Sequence, residues 1–136
     1  RAEVRGPAFA LVDGADRYEI TGSEVGWLSE PDAQYAAHAS TTMANLQRTM
    51  SKCDVTLAVK RDGLYAADCN GRKVRVPAIS AAGEAEIALG GYKWREFLRS
   101  FAHIAGRWDI YLAPGKAIKL EHRSPRFTIR YYQEPR

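Results

Sequence analysis

The sequence predicts an α+β domain: an internally duplicated unit of strand, helix and three-strand meander, with two helices packed on one face of a mainly antiparallel sheet and an N-terminal β-hairpin. Three observations lead there. The stretches CDVTLAVKRDGLYAAD (53–68) and WDIYLAPGKAIKLEH (108–122) share an apolar-x-Leu-Ala run, a glycine turn and a second alternating run, about fifty-five residues apart. Each is preceded by apolar residues at helical spacing. Each is followed by a third short alternating segment. With 136 residues the chain can bury one core, and its parts are a hairpin segment over 1–32 and a duplicated domain over 33–136, with repeats at about 33–79 and 84–132.

The elements follow in order. AFALV (8–12) alternates, DGAD is a turn signal, and RYEIT alternates Tyr18 and Ile20 against charged neighbours, which makes a hairpin. EVGWL adds a third short strand, and SEPDA breaks the chain with its proline.

In the first repeat QYAAHAS is a strand. Ser40, Thr41 or Thr42 can cap the helix that follows, whose apolar face is Met43, Leu46, Met50 and Cys53. Val55, Leu57 and Val59 then share a strand face. A three-residue loop at 61–63 pairs them with Cys69, Ala67 and Tyr65, with Gly63 in the positive-φ position. KVRVPAI places Val74 and Val76 inward and Arg75 outward, and SAAGEA is a small-residue connector.

The second repeat opens with a strand carrying Ala85, Ile87 and Leu89 on one face. Its helix, YKWREFLRSFAHIAG, aligns Trp94, Phe97, Leu98, Phe101 and Ala105 in one stripe. Ile110 and Leu112 then pair with Leu120 and Ile118 across a Pro-Gly turn, and Phe127, Ile129 and Tyr131 point inward from the last strand. Met43 aligns with Trp94, Leu46 with Phe97, Arg48 with Arg99 and Met50 with Phe101.

Composition narrows the functional classes. Apolar residues at 46% and charged residues at 26% are a globular balance. No apolar run approaches the ~20 residues of a membrane span, and no charged-then-apolar leader opens the sequence. Cys53 and Cys69 fit neither a disulfide framework nor a zinc site, so reduced thiols in a cytoplasmic protein are expected. The net charge of +4 is uneven: residues 1–39 carry three basic and seven acidic side chains, residues 40–136 seventeen and nine. A basic body behind an acidic leading segment fits a polyanionic partner.

The tandem unit resembles the building block of DNA polymerase sliding clamps. GEAEIALGGYKWREFLRSF followed by WDIYLAPGKAIKLEHRSPRFTIRYY is similar to the clamp segment where an apolar strand leads into a helix. TLAVKRDGLYAADCNGRKVRVPAI is similar to the clamp succession of strand, Gly-Leu hairpin, glycine turn with a basic residue, and strand ending near proline. The resemblance, to bacterial clamps in particular, covers about residues 33–132. It implies helices that line a bore and touch the DNA backbone loosely, in a ring of several such domains. The ending RYYQEPR departs from the clamp pattern, so the resemblance does not reach the family's partner-peptide pocket.

Candidate site residues follow from charge placement. Arg48 and Lys52 on the first helix, and Lys93, Arg95 and Arg99 on the second, lie away from the apolar stripes, and two i,i+4 pairs present cations suited to phosphate. A solvated helix face would carry the same residues. Arg72, Lys73, Arg75, Lys119, Arg126 and Arg130 form a second basic set on the meanders, with Tyr111 across from Lys119. That set fits either base stacking on a sheet face or edge protection by charge. Trp27 is the candidate partner-binding aromatic, and a cover for the end of the core would carry the same residue.

His38, His103 and His122 are isolated, ALGGYK is no phosphate loop, and no nucleophile elbow is present. The expectation is therefore no enzyme, no cofactor and no metal. The function expected is a non-enzymatic, clamp-like module of DNA replication or repair that binds DNA backbone non-specifically, with a protein partner or further copies of itself and no membrane. The alternative is a phage- or plasmid-type accessory module whose N-terminal hairpin engages or inhibits a protein.

Overall fold

Two antiparallel sheets carry the chain. The computed structural model describes the backbone of Ala8–Asp13 and Asp16–Ile20 and the whole of residues 35–136. In chain order the elements are β1 (Ala8–Asp13), β2 (Asp16–Ile20), β3 (Ala37–Thr42), α1 (Met43–Leu46) with a 3-10 turn at Gln47–Thr49, β4 (Val55–Lys60), β5 (Gly63–Asp68), β6 (Lys73–Val76), β7 (Ser80–Gly83), β8 (Ala85–Leu89), α2 (Gly91–Ser100), β9 (Arg107–Leu112), β10 (Ile118–Arg123) and β11 (Phe127–Gln133).

The strands divide into a seven-stranded sheet, β2-β1-β11-β10-β9-β3-β7, and a four-stranded sheet, β6-β5-β4-β8. Strand, helix and meander recur in the same order in both halves, and the halves exchange their leading strands. β3 pairs with β9 (Ala39 opposite Ile110), and β8 pairs with β4 (Ile87 opposite Leu57). The β1–β2 hairpin forms as the alternation predicts, and β1 lies along β11 with Leu11 opposite Ile129. The expected strand in EVGWL, the break at SEPDA and Trp27 lie outside the described residues.

The core sits where the strand alternation and the α2 stripe meet. Leu57, Leu89, Trp94, Leu98, Trp108 and Ile110 are wholly buried within it. The second meander has the expected register, with Leu120 opposite Ile110 and Lys119 opposite Tyr111.

The first meander is shifted by one residue. The turn holds only Arg61 and Asp62, so Lys60 faces Gly63, Val59 faces Leu64 and Leu57 faces Ala66. A one-residue shift turns every β5 side chain over. Leu64 and Ala66 go inward, and Tyr65 lies on the outer face between Lys60 Nζ at 5.5 Å and Arg75 Cζ at 5.9 Å from its ring centre. The sheet thereby buries an aliphatic side chain and gives the phenol cationic neighbours at the surface.

Three further expectations are corrected. The first helix is short: Thr42 caps it by accepting from the Asn45 amide, and after the 3-10 turn Met50 is already extended, at φ −63° and ψ 132°. Thr49 Oγ1 donates to the Leu46 carbonyl at 2.7 Å, a local bond that helps close the last turn. α2 ends at Ser100, so Ala105 is exposed rather than part of the stripe. The small-residue connector contains β7, paired to β3 with Gly83 opposite Ala37. Gly83 has φ +77°, and a Cβ there would stand 2.1 Å from the Ala36 carbonyl oxygen, so only glycine permits this approach.

Candidate nucleic-acid interface

The two helical segments lie side by side. Gln47 Nε2 donates to the Leu98 carbonyl at 2.7 Å, and the buried Trp94 Nε1 donates to Thr49 Oγ1 at 2.8 Å. Trp94, Phe97 and Leu98 face the core, which leaves Lys93 and Arg95 half-buried and Arg99 exposed on the other side of α2. Gly90 has no side chain to cap α2. Asp54 supplies the acceptor instead: its Oδ1 takes the Gly91 amide at 2.8 Å, while Oδ2 pairs with Arg136 at 2.6 Å. Gly91 lies so close to the loop before β4 that a Cβ would stand 2.3 Å from the Cys53 carbonyl oxygen.

The five predicted phosphate-contacting residues do not form two helical pairs. Lys93, Arg95 and Arg99 share α2 as expected. Arg48 sits in the 3-10 turn and Lys52 in the bend beyond it, so their i,i+4 relation is not helical; both are exposed. Arg95 Nη1 donates to the Ser51 carbonyl at 2.7 Å, which ties α2 to the segment bearing Lys52. Arg99 meets Glu96 at 3.7 Å in an exposed i,i+3 pair, which contributes little. Among the described residues Arg48, Lys52 and Lys93 have no ion-pair partner.

The cysteines are not reduced thiols. Cys53 and Cys69 form a disulfide with Cα atoms 6.0 Å apart. Pairing of β4 with β5, Val55 opposite Asp68, brings the two ends of the hairpin together and the cysteines with them. Asp68 organises the adjoining turn by accepting the Asn70 amide at 2.9 Å, the Arg72 amide at 3.0 Å and Ser51 Oγ at 3.0 Å. Desolvation pushes its carboxyl up, and these bonds with the nearby Arg72 charge outweigh it, so Asp68 titrates below the usual carboxylate range.

On the outer face of β10 and β11 the carboxylate of Glu121 is held by cations. The buried Glu121 accepts from Arg130 Nε at 2.7 Å and from Arg123 Nε at 3.0 Å. Desolvation pushes its carboxyl up, but the two guanidinium groups and Lys119 hold it below its ordinary range. Tyr111 does face Lys119, with Nζ 5.1 Å from the ring centre, and it also stacks on His38 at 4.7 Å. Arg72, Lys73, Arg75 and Arg126 are exposed, and Arg75 Nη2 donates to the Asp62 carbonyl.

Ser40, His38 and Asp109 meet, but not as a nucleophilic triad. Ser40 Oγ at 2.6 Å, His38 Nε2 at 3.0 Å and Arg107 Nε at 3.1 Å all converge on one oxygen, Asp109 Oδ1. A triad needs the imidazole between hydroxyl and carboxylate; here the carboxylate is the hub. Desolvation raises the Asp109 carboxyl, and the three donors more than offset it, so it too titrates low. His122 is buried against the Arg107 carbonyl and Trp108, and His103 is exposed. Among the described residues no group of three or more His, Cys, Asp or Glu could hold a metal ion, and no helix is long and apolar enough to cross a membrane.

Sequence reasoning missed the Asp54 cap, the burial of Glu121 and the closeness of Arg72 to the first helical segment. Only the disulfide had a signal, in two cysteines flanking a predicted hairpin.

No protein-family model matches the chain, and no curated protein matches it. Solved structures do. Over 95% of the chain it superposes on the Proliferating Cellular Nuclear Antigen of Entamoeba histolytica with a TM-score of 0.68 at 13% identity. It superposes equally, 0.68 at 14% identity over 95%, on the PCNA2-PCNA3 complex of Sulfolobus tokodaii. The beta subunit of DNA polymerase from Streptococcus pyogenes matches over 76% of the chain, with a TM-score of 0.59 at 14% identity. The chain spans 59%, 61% and 32% of the lengths of those three chains. Exchanged leading strands, paired helical segments and two antiparallel sheets give this chain a sliding-clamp-like fold.

Proposed function

We propose that this chain is a non-enzymatic, DNA-associated clamp module of replication or repair, holding the DNA backbone without reading sequence. The observation that carries the reading is the basic face of α2 and the adjoining turn, turned away from the core in a clamp-like fold. Lys93 and Arg99 on α2, with Arg48 and Lys52 beside them, are side chains on rigid or tethered backbone, suited to phosphate and carrying no base-reading geometry. Arg95 both anchors the Ser51 loop and adds its charge to that face.

Assembly with further clamp-type domains supplies the enclosure that one domain lacks. One edge of the four-stranded sheet is β6, which carries Lys73 and Arg75, and one edge of the seven-stranded sheet is β2, whose place in the sequence is within the acidic residues 1–39. Opposite charge at two sheet ends favours head-to-tail association of copies.

The test is duplex binding as a function of salt. The wild-type protein binds weakly, with affinity falling steeply as salt rises. Replacing Arg48, Lys52, Arg95 and Arg99 together by alanine removes most of that binding and flattens the slope by up to about 4, near one unit per phosphate contact. Unchanged binding in this variant overturns the reading.

A further inference from the structure

The disulfide joins two surface segments that the helix-face reading treats separately. Cys53 ends the segment that carries Arg48, Ser51 and Lys52, and Cys69 opens the turn that carries Arg72 and Lys73. Two other bonds cross the junction, Ser51 Oγ to Asp68 and the Cys69 amide to Cys53 Sγ at 3.2 Å, and Arg95 Nη1 ties the Ser51 carbonyl to α2. Arg48 and Arg72 consequently line the same shallow crevice, with Thr49, Ala67 and Asp68 as its floor.

Charge at this junction is unbalanced. Arg48, Lys52, Arg72 and Lys73 are exposed, and among the described residues none has an ion-pair partner. The acidic group in their midst is Asp68, whose oxygens already accept two backbone amides and the Ser51 hydroxyl. Asp54, the next nearest acid in sequence, is taken by Gly91 and Arg136. Arg48 and Arg72, which line one crevice, repel one another unless an anion spans them.

We propose that Arg72 joins Arg48 and Lys52 in one phosphate-binding patch, which extends the α2 face reached through Arg95, and that the Cys53–Cys69 disulfide helps to hold it together. The ligand is a nucleic-acid backbone, and the inference rests on the DNA-binding reading above. Arg72 is the new contact, supplied by the β5–β6 turn rather than by a helix. A dithiol breaks the Sγ–Sγ bond by delivering two electrons and two protons, leaving two thiols on the protein while the dithiol closes its own disulfide. The Lys52 and Arg72 segments are then joined only by the β4–β5 pairing and the Ser51–Asp68 bond, and the patch presents its charges together for less of the time.

The experiment measures duplex affinity against salt for wild-type and Arg72→Ala protein, each oxidised and each treated with dithiothreitol, with thiol counts and circular dichroism on every sample. In oxidised protein Arg72→Ala lowers affinity for all sequences alike and reduces the salt slope by about 1. Reduction lowers wild-type affinity further and shrinks the difference between wild type and variant. Because the exposed Arg72 side chain makes no bond that maintains the fold, the oxidised arm stands even where reduction loosens the structure. An oxidised Arg72→Ala protein with unchanged affinity and slope overturns the patch, and an effect of equal size in both redox states overturns its dependence on the disulfide. If wild-type protein binds duplex and the quadruple alanine variant does not, either result counts against this patch alone; if wild-type protein does not bind at all, both readings fall together.

Discussion

Glu121 concentrates the electrostatics of the outer sheet face at one residue. Its alternation phase points it away from the core, yet Arg123 from its own strand and Arg130 from β11 close over it and leave it 3% exposed. No sequence pattern announces this, because the burial comes from side chains on a neighbouring strand whose register is a property of the assembled sheet. Its carboxyl titrates below the ordinary range, so the stabilisation is fully present above the unfolded carboxylate pKa and is lost as pH falls through the lower folded value. Glu121→Gln removes that charge while keeping the shape. The variant should lose about 1.5–3 kcal/mol at neutral pH, the range for hydrogen bonds to charged groups. Denaturant titrations from pH 7 to pH 3 should show the gap to wild type narrowing as acid is added; a gap constant with pH would mean the charge contributes nothing.

At the scale of elements, α2 was the most legible part of the sequence and the first helix the least. The α2 stripe of Trp94, Phe97 and Leu98 repeats at helical spacing and lands in the core. The spacing of Met43, Leu46, Met50 and Cys53 is equally helical, but Met50 is extended and Cys53 lies in a bend fixed by a disulfide and by Arg95. Periodicity cannot see a cross-link. The first hairpin slipped for a related reason: two turn lengths were both permissible, and the choice rested on burying Leu64 rather than Tyr65. The junction of α2 with the loop before β4 yields a prediction at this scale. Gly91→Ala forces a methyl group onto the Cys53 carbonyl and pushes apart two elements that also share the Asp54 cap. A loss of about 1–3 kcal/mol is expected, as for other overpacked sites, read as a drop in thermal midpoint. A midpoint equal to that of wild type would show that the loop yields freely.

For the whole molecule, the fold class was visible because both halves repeat the same alternation of periods. The exchange of leading strands was not, because β3 and β9 are separated by nearly half of the chain and nothing local specifies their pairing. The positively charged face was legible as composition, and its division between α2 and a disulfide-bound turn was not. Association is the property that belongs to this scale. Light scattering across a concentration series should give a defined multiple of the 15.1 kDa chain mass, as opposite charges at the two sheet ends lead one to expect; a monomer at every concentration would exclude self-assembly through those ends. The strand exchange also sets a timetable for biosynthesis. The four-stranded sheet has all its members once Leu89 has left the ribosome, whereas β3, joined early by β7 on one side, waits for β9 on the other. During translation the first meander is therefore a finished surface on which the second condenses, with the β9 side of Ala39 unpaired until Ile110 has emerged.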